Sequence, residues 1–307
     1  MNKLIPNVYI FIFVLLLLFG ANVARAQAQV TLQHNTKEVS QSGQQSDPKA
    51  ISLVRGALKQ WRGLSSYAEV SMTIHRPDWQ RSMSMVNWTR GDKDALIRFT
   101  APKKDAGNAT LKLDNNMWMF TPKLNQVIKL PASMMTQSWM GSDFSYNDLA
   151  KSDQLVDDFI LKIIATEPEL KQDQEQNQQQ AQKHKTYTIS AFPKPDAPVV
   201  WGKEVIVVRD DNLLLNQQFY DQSFVLVKEM KTLKIAPLDG RAYPVVMRMI
   251  NQEQKDHWTE IVTQKAYFNI ELANFIFTQA NLRNPRRWQI EQTQKISTKN
   301  NPQQIGK

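Results

Sequence analysis

Along most of the chain, apolar and polar residues alternate with a period of two. From Ala68 to Ile74 the apolar positions are Ala68, Val70, Met72 and Ile74, with Glu69, Ser71, Thr73 and His75 between and after them. Alternation of this kind describes a strand with one buried face and one wet face, as antiparallel sheets have. Residues 81–90 continue it with Met83 and Met85, then Val86 and Trp88, and Gly91-Asp92 supplies a hairpin-type turn. Further strands are predicted at 96–100, 109–113, 117–120 and 127–130, with a turn at Pro122-Lys123-Leu124-Asn125 before the last. A second series follows at 186–192, 204–209, 214–220, 225–235, 243–250 and 258–268, punctuated by Asp210-Asp211-Asn212 and Leu238-Asp239-Gly240.

Helical spacing is confined to a few places. Asp47-Pro48 combines an N-cap with a first-turn proline; Ile51, Val54, Leu58 and Trp61 then form one apolar stripe, and Gly63 ends it. A second helix is predicted from about Ser145 to Ile164, with Leu149, Leu155, Phe159 and Ile163 roughly on one side. Residues 277–282 read as a short closing helix. Strands that follow strands without intervening helices exclude a doubly wound parallel sheet. Short strands without lipid-facing bands exclude an outer-membrane barrel. The class is α+β: about eleven or twelve antiparallel strands with helices on one face.

The ends and one internal tract fall outside this pattern. Lys3, an apolar run from Val8 to Phe19, and Ala24-Arg25-Ala26 have the layout of a secretory signal peptide cleaved after Ala26. The apolar run is shorter than the ~20 residues of a spanning helix. Residues 27–46 read as a flexible lead-in, 47–285 as the folded domain, and 286–307 as a polar, basic tail. A Gln-rich insertion at 167–185 reads as a solvated segment and is assigned no function.

Composition narrows the chemistry. The absence of cysteine excludes disulfides, thiolate zinc sites, thiol nucleophiles and a lipid-modified N-terminal Cys. Only His34, His75, His184 and His257 are present, none at metal-ligand spacing. No nucleophile elbow, phosphate loop or dinucleotide fingerprint occurs, and the pairs Asp92/Asp94 and Asp157/Asp158 read as solvated acids. No cofactor, metal or catalytic residue is therefore assigned. Residues 1–26 carry Lys3 and Arg25 and no acid, so the remainder keeps 36 basic against 29 acidic residues. That excess is weak evidence for anionic lipid surfaces, and nothing in the sequence argues for nucleic acid.

The unusual feature is soft apolar content on the strands. Met72, Met83, Met85, Met117, Met119, Met230, Met247 and Met249 fall on predicted strands together with Trp88, Phe99, Trp118, Phe120 and Trp258. Methionine is flexible and polarizable, so a Met-lined surface adapts to ligands of varied shape. Met72, Met83, Met85, Trp88, Phe99, Met117, Trp118, Met119, Phe120, Met247 and Met249 are taken as candidate cavity residues.

The stretch Trp139-Met140-Gly141-Ser142-Asp143-Phe144-Ser145-Tyr146-Asn147-Asp148-Leu149 resembles the signature of the outer-membrane lipoprotein-sorting family related to LolA. Ser66-Tyr67 with the Met-rich strand to Trp88, Asp114 to Trp118, Pro122 to Leu130, Gly240-Arg241 with Pro244, Met247 and Met249, Thr259, and Phe277-Thr278 with Leu282 are similar to it too. The Gln-rich tract departs from it. The resemblance spans about residues 50–285. It implies an incomplete antiparallel barrel curled round a hydrophobic cavity, with helices as its lid. It also implies a periplasmic, monomeric carrier of lipoprotein or phospholipid cargo, served by an inner-membrane transporter and an outer-membrane acceptor. A lipid-sensing regulatory module on the same fold is the alternative. Trp139, Gly141, Asp143, Phe144 and Tyr146 are read as a gate or docking loop. The same segment also reads as a helix start, with Ser145 as N-cap, Asp148 in the first turn and a buried aromatic plug.

Overall fold

The computed structural model describes residues 45–151, 154–168 and 184–288. The signal segment, most of the lead-in, residues 169–183 of the Gln-rich tract and the tail beyond 288 lie outside the described residues. The chain opens with helix α1 (Pro48–Arg62). Asp47 accepts a hydrogen bond from the Lys49 amide at 2.8 Å, and Gly63 stops the helix at φ 65°. A positive φ at this point costs glycine little and other residues much.

Six strands follow: β1 (Ser65–Arg76), β2 (Trp79–Arg90), β3 (Asp94–Ala101), β4 (Ala109–Leu113), β5 (Asn116–Thr121) and β6 (Gln126–Lys129). Residues 130–158 carry two 3₁₀ turns, at Ala132–Met134 and Trp139–Gly141, and the short helices α2 (Tyr146–Lys151) and α3 (Leu155–Asp158). Seven more strands complete the sheet: β7 (Phe159–Pro168), β8 (Lys185–Pro193), β9 (Lys203–Arg209), β10 (Leu214–Tyr220), β11 (Leu226–Leu238), β12 (Arg241–Asn251) and β13 (Trp258–Phe268). A 3₁₀ turn at Asn274–Phe277 and helix α4 (Gln279–Arg283) close the described part. No helix among the described residues is long and apolar enough to cross a membrane.

The strands form one curled, open antiparallel sheet in the order β6-β5-β4-β3-β2-β1-β13-β12-β11-β10-β9-β8-β7. Each half is a meander, its strands lying in chain order. The halves join where β1 pairs with β13, Met72 lying opposite Ile261 and, on its other side, opposite Met83 of β2. This order sets β6 and β7 at opposite edges. Residues 130–158 must therefore carry the chain from one edge of the sheet to the other, and they do so across its inner face.

Two apolar layers result. On the inner face Val70, Met72, Ile74, Met83, Met85 and Phe99 pack with Trp139, Tyr146 and Ala150 of the crossing segment. Helix α1 seats Ala50, Leu53, Val54 and Ala57 against Leu161, Ile189, Ile206 and Val208. On the outer face Leu96, Leu111 and Phe120 are covered by Leu272, Ile276, Phe277 and Leu282 of the closing segment.

The sheet has one strand more than the sequence suggested, and the reason lies in the second predicted helix. Helix is limited to 146–151 and 155–158, and Phe159–Pro168 is edge strand β7, paired with β8. Leu155, Phe159 and Ile163 are four apart, but Phe159, Leu161 and Ile163 also alternate. Four β-branched residues (Ile160, Ile163, Ile164 and Thr166) favour the extended form. Short apolar runs carry both periods, and the neighbouring strand decides between them. The helices, α1 apart, are short, so the sheet makes up most of the structure.

Candidate functional site

A cavity of about 260 Å³ lies on the inner face of the sheet. One side is helix α1, which contributes Val54, Ala57, Leu58 and Trp61. Sheet residues from both halves contribute Val70, Met85, Ile97, Met117, Met230, Met247, Met249 and Ile261, and the crossing segment adds Trp139, Phe144 and Leu149. Alternation explains the membership. Ala68 and Val70 on β1, Asn87 and Thr89 on β2, and Thr110 and Lys112 on β4 are spaced by two, so they share the concave face.

Of the candidate cavity residues, Met85, Met117, Met247 and Met249 line the cavity. Trp88 borders it, but its ring packs against Tyr67 at 5.6 Å and Trp288 at 6.3 Å, the side opposite Asn87 and Thr89. Met72, Met83 and Phe99 are buried in the inner-face core beyond the cavity wall, and Met119 packs against that core. Trp118 and Phe120 belong to the outer layer beneath the closing segment. Neighbours such as Trp118 and Met119 must face opposite ways on a strand, so a run of large residues cannot all reach one cavity.

The crossing segment is folded tightly on itself. The Trp139 amide donates to the Phe144 carbonyl at 2.7 Å, Asn147 N to Met135 O at 2.7 Å, and Tyr146 N to Gln137 O at 3.2 Å. Trp139 is 2% exposed; its indole N–H donates to Thr110 Oγ1 at 3.1 Å, and its ring lies 5.4 Å from that of Phe99. Phe144 also lines the cavity, and the Tyr146 hydroxyl lies 4.0 Å from Met119 Sδ. Gly141 is exposed at φ 77°. Asp143 is the anchor to the sheet: its Oδ2 accepts from Arg76 at 3.0 Å and from Thr259 Oγ1 at 2.6 Å, while Arg76 also reaches the Gly141 carbonyl at 3.1 Å. Ser145 and Asp148 cap α2 reciprocally. The Ser145 amide donates to Asp148 Oδ2 at 2.6 Å, and the Asp148 amide to Ser145 Oγ at 3.2 Å.

One part of the cavity wall is polar. Glu204 is 4% exposed and accepts a hydrogen bond from Gln217 Nε2 at 2.7 Å. Burial pushes its carboxyl up to about 8. Asp148 adds to the rise, whereas the Gln217 hydrogen bond and Lys228 oppose it. Lys228 forms an ion pair with Asp148, both side chains being 8% exposed, and its ammonium lies 4.8 Å from the Trp201 ring centroid and 5.2 Å from that of Phe219. A cation over aromatic faces is partly compensated for its lost hydration. Glu204, Gln217, Trp201 and Phe219 were not among the sequence candidates. The signal was present: Glu204 alternates with Ile206 and Val208, and Gln217 with Phe219, so both polar residues had to point inward.

Among the described residues, one group of acids and histidine is compact enough to hold a cation: His184, Asp210 and Asp211, away from the cavity. Its atoms are engaged, since His184 Nδ1 lies 2.6 Å from Asp210 and Asp211 accepts from Arg209 at 2.8 Å.

An open antiparallel sheet curled about an apolar cavity is a LolA-like fold, and solved structures share it. A DUF1329 family protein from Desulfovibrio piger is 21% identical with a TM-score of 0.66, covering 78% of this chain and 99% of its own. A domain from Vibrio parahaemolyticus assigned to outer membrane lipoprotein sorting is 20% identical with a TM-score of 0.62, covering 76% and 98%. A LolA superfamily protein from Nitrosomonas europaea is 17% identical with a TM-score of 0.60, covering 75% and 98%. No curated protein matches. A family model described as "uncharacterized protein"-like matches residues 91–284, more than half of the chain, and the chain belongs to that family.

Proposed function

We propose that this chain is a periplasmic carrier that shelters acyl chains of lipoproteins or lipids in its cavity. It would pass them between membrane-associated partners, an inner-membrane transporter and an outer-membrane acceptor. The observation that carries the reading is the cavity wall, where Met85, Met117, Met230, Met247 and Met249 from four strands face Trp61 and Leu58 of the helix. The sorting assignment of the Vibrio parahaemolyticus domain supports it. Each methylene withdrawn from water is worth ~0.8 kcal/mol, so a long acyl chain crosses an aqueous compartment only inside an apolar site. Handing the chain on requires walls that accept without gripping, which suits unbranched thioether side chains.

The N-terminal segment would direct export and be removed after Ala26. The loop containing Trp139, Gly141, Asp143, Phe144 and Tyr146 would act as the gate, because it both closes the cavity with Trp139 and Phe144 and is tied to the sheet through Asp143. Native mass spectrometry of the exported protein, with lipid extraction of the same sample, tests the carrier reading. Stoichiometric acylated cargo is the expected result. A ligand-free protein that also refuses added lipid would sink the reading.

A further inference from the structure

Like charge gathers at one corner of the sheet, where three segments meet. The loop between β3 and β4 carries Lys103 and Lys104, the turn between β5 and β6 carries Lys123 and Leu124, and the chain at the end of α4 carries Arg283 and Arg286, all exposed. Contacts hold the segments side by side. Thr121 Oγ1 donates to Asn108 Oδ1 at 3.0 Å, and a Cβ on Gly107 would come within 2.8 Å of Pro122. Arg98 of β3 donates to the Asn281 and Leu282 carbonyls at 2.6 and 3.2 Å, and Arg283 donates to the Asn125 carbonyl at 3.1 Å.

The charge is not offset locally. Residues 116–130 and 276–288 contain no acid, and the one acid within 95–113, Asp105, is 6% exposed and paired with Arg81. Asp94 and Asp114 lie at the opposite ends of these strands, where Asp94 is level with Leu113. Among the described residues no ion pair holds any of the five exposed cations. Beside Lys123, Leu124 stands 63% exposed at the tip of the turn. Lysines near an edge strand guard it against pairing with another chain, but that purpose gives no place to an exposed leucine. Protein interfaces are poor in lysine. A bilayer surface of anionic phospholipid, in contrast, attracts clustered cations and receives an apolar side chain below its headgroups. We propose that this corner docks the protein on an anionic phospholipid surface, with Leu124 entering below the headgroups and Lys103, Lys104, Lys123, Arg283 and Arg286 meeting their phosphates. None of these residues lines the cavity, so docking and cargo binding can fail separately.

Flotation of the exported protein with vesicles of phosphatidylcholine, or of equal parts phosphatidylcholine and phosphatidylglycerol, tests it. The mixed vesicles should carry the protein, the neutral ones should not, and salt should release it. The triple variant Lys103→Gln/Lys104→Gln/Lys123→Gln should weaken the partition on the order of a hundredfold, each cation near such a surface contributing about fivefold. Leu124→Ser should weaken it about tenfold. All four positions are exposed, so the melting temperature should not move. The chain has no cysteine, so Leu124→Cys with an environment-sensitive fluorophore reports insertion. Its emission should shift to the blue on mixed vesicles, whereas the same label on Asn115→Cys, in the β4–β5 turn at the other end of these strands, should not shift. Equal partition on the two vesicles, partition that survives the triple substitution, or equal shifts from the two labels overturns the proposal. Failure to partition on either vesicle overturns it as well, leaving an acidic protein as the partner the charge fits and the carrier reading untouched.

Discussion

Glu204 is the residue whose chemistry departs furthest from its ordinary state. Its carboxyl moves from the usual 4.5 to about 8, chiefly because burial penalises the charged form. Asp148 and Lys228 face it with opposite effects, Gln217 hydrogen-bonds it, and Asp158 and Arg62 line the same cavity. A carboxyl raised in the folded state binds more protons there than in the unfolded chain. Its contribution is therefore greatest at low pH and is lost as pH rises from about 4.5 to about 8. Thermal melts between pH 5 and 9 should show the unaltered protein weakening across that window, by a few kcal/mol at most. Glu204→Gln, which keeps the shape without the proton, should be flatter; identical profiles would show that Glu204 is ionised throughout. Trp139 tests packing in the same way. Trp139→Ala should cost about 3–5 kcal/mol in urea unfolding, because it empties the space beside Phe99 and leaves Thr110 without its donor. Trp139→Phe should cost clearly less. A loss below about 1 kcal/mol for the alanine variant would mean that the segment is not packed on the sheet.

At the scale of elements, the anchored loop carries the most information. Arg76 holds both the Asp143 carboxylate and the Gly141 carbonyl, and Thr259 from β13 completes the tie. Arg76 is 12% and Asp143 3% exposed at the side chain, so removal of one partner leaves the other buried and uncompensated. Arg76→Met should speed amide exchange at Trp139, Ser142 and Asp143 by at least about tenfold while leaving β1 and β2 protected. Uniform exchange across the whole sheet would instead indicate global destabilisation. The strands themselves were legible in the sequence, since alternation at Ala68–Ile74 and the turns at Gly91 and Gly240 are local signals. So were the α1 cap at Asp47 and the helix start at Ser145, although the return bond from the Ser145 amide to Asp148 was not. Strand β7 was not legible, because its apolar residues satisfy both periods and only pairing with β8 separates them. The site was half legible for a related reason. Alternation says that Met117 and Trp118 face opposite ways, but the sign of the face is set by what covers each side. Only the folded chain shows the closing segment lying over Trp118 and Phe120. Glu204 adds nothing to the apolar content of β9, although its spacing with Ile206 already places it inside.

The whole molecule is governed by one topological fact: the two edge strands, β6 and β7, are consecutive in the chain. Every other pair of neighbouring strands is consecutive in the chain or meets at the β1–β13 seam, so the strand pairing does not involve residues 130–158, which cross the inner face of the sheet. That segment can shift without breaking a single strand pairing. The gate proposed above would therefore open without loss of strand pairing. The absence of native cysteine allows a direct test. Asp143 and Thr259 are in side-chain contact, Thr259 Oγ1 donating to Asp143 Oδ2 at 2.6 Å, which places cysteines at the two positions side by side. The double variant Asp143→Cys/Thr259→Cys, oxidised, should fasten the loop to β13. If loop movement admits cargo, the oxidised protein takes up fluorescent acyl probe at least about tenfold more slowly than the unaltered chain. It retains probe loaded before oxidation, and reductant restores exchange. Equal exchange rates in the oxidised and reduced forms would place the entrance elsewhere and leave the crossing segment as a fixed plug.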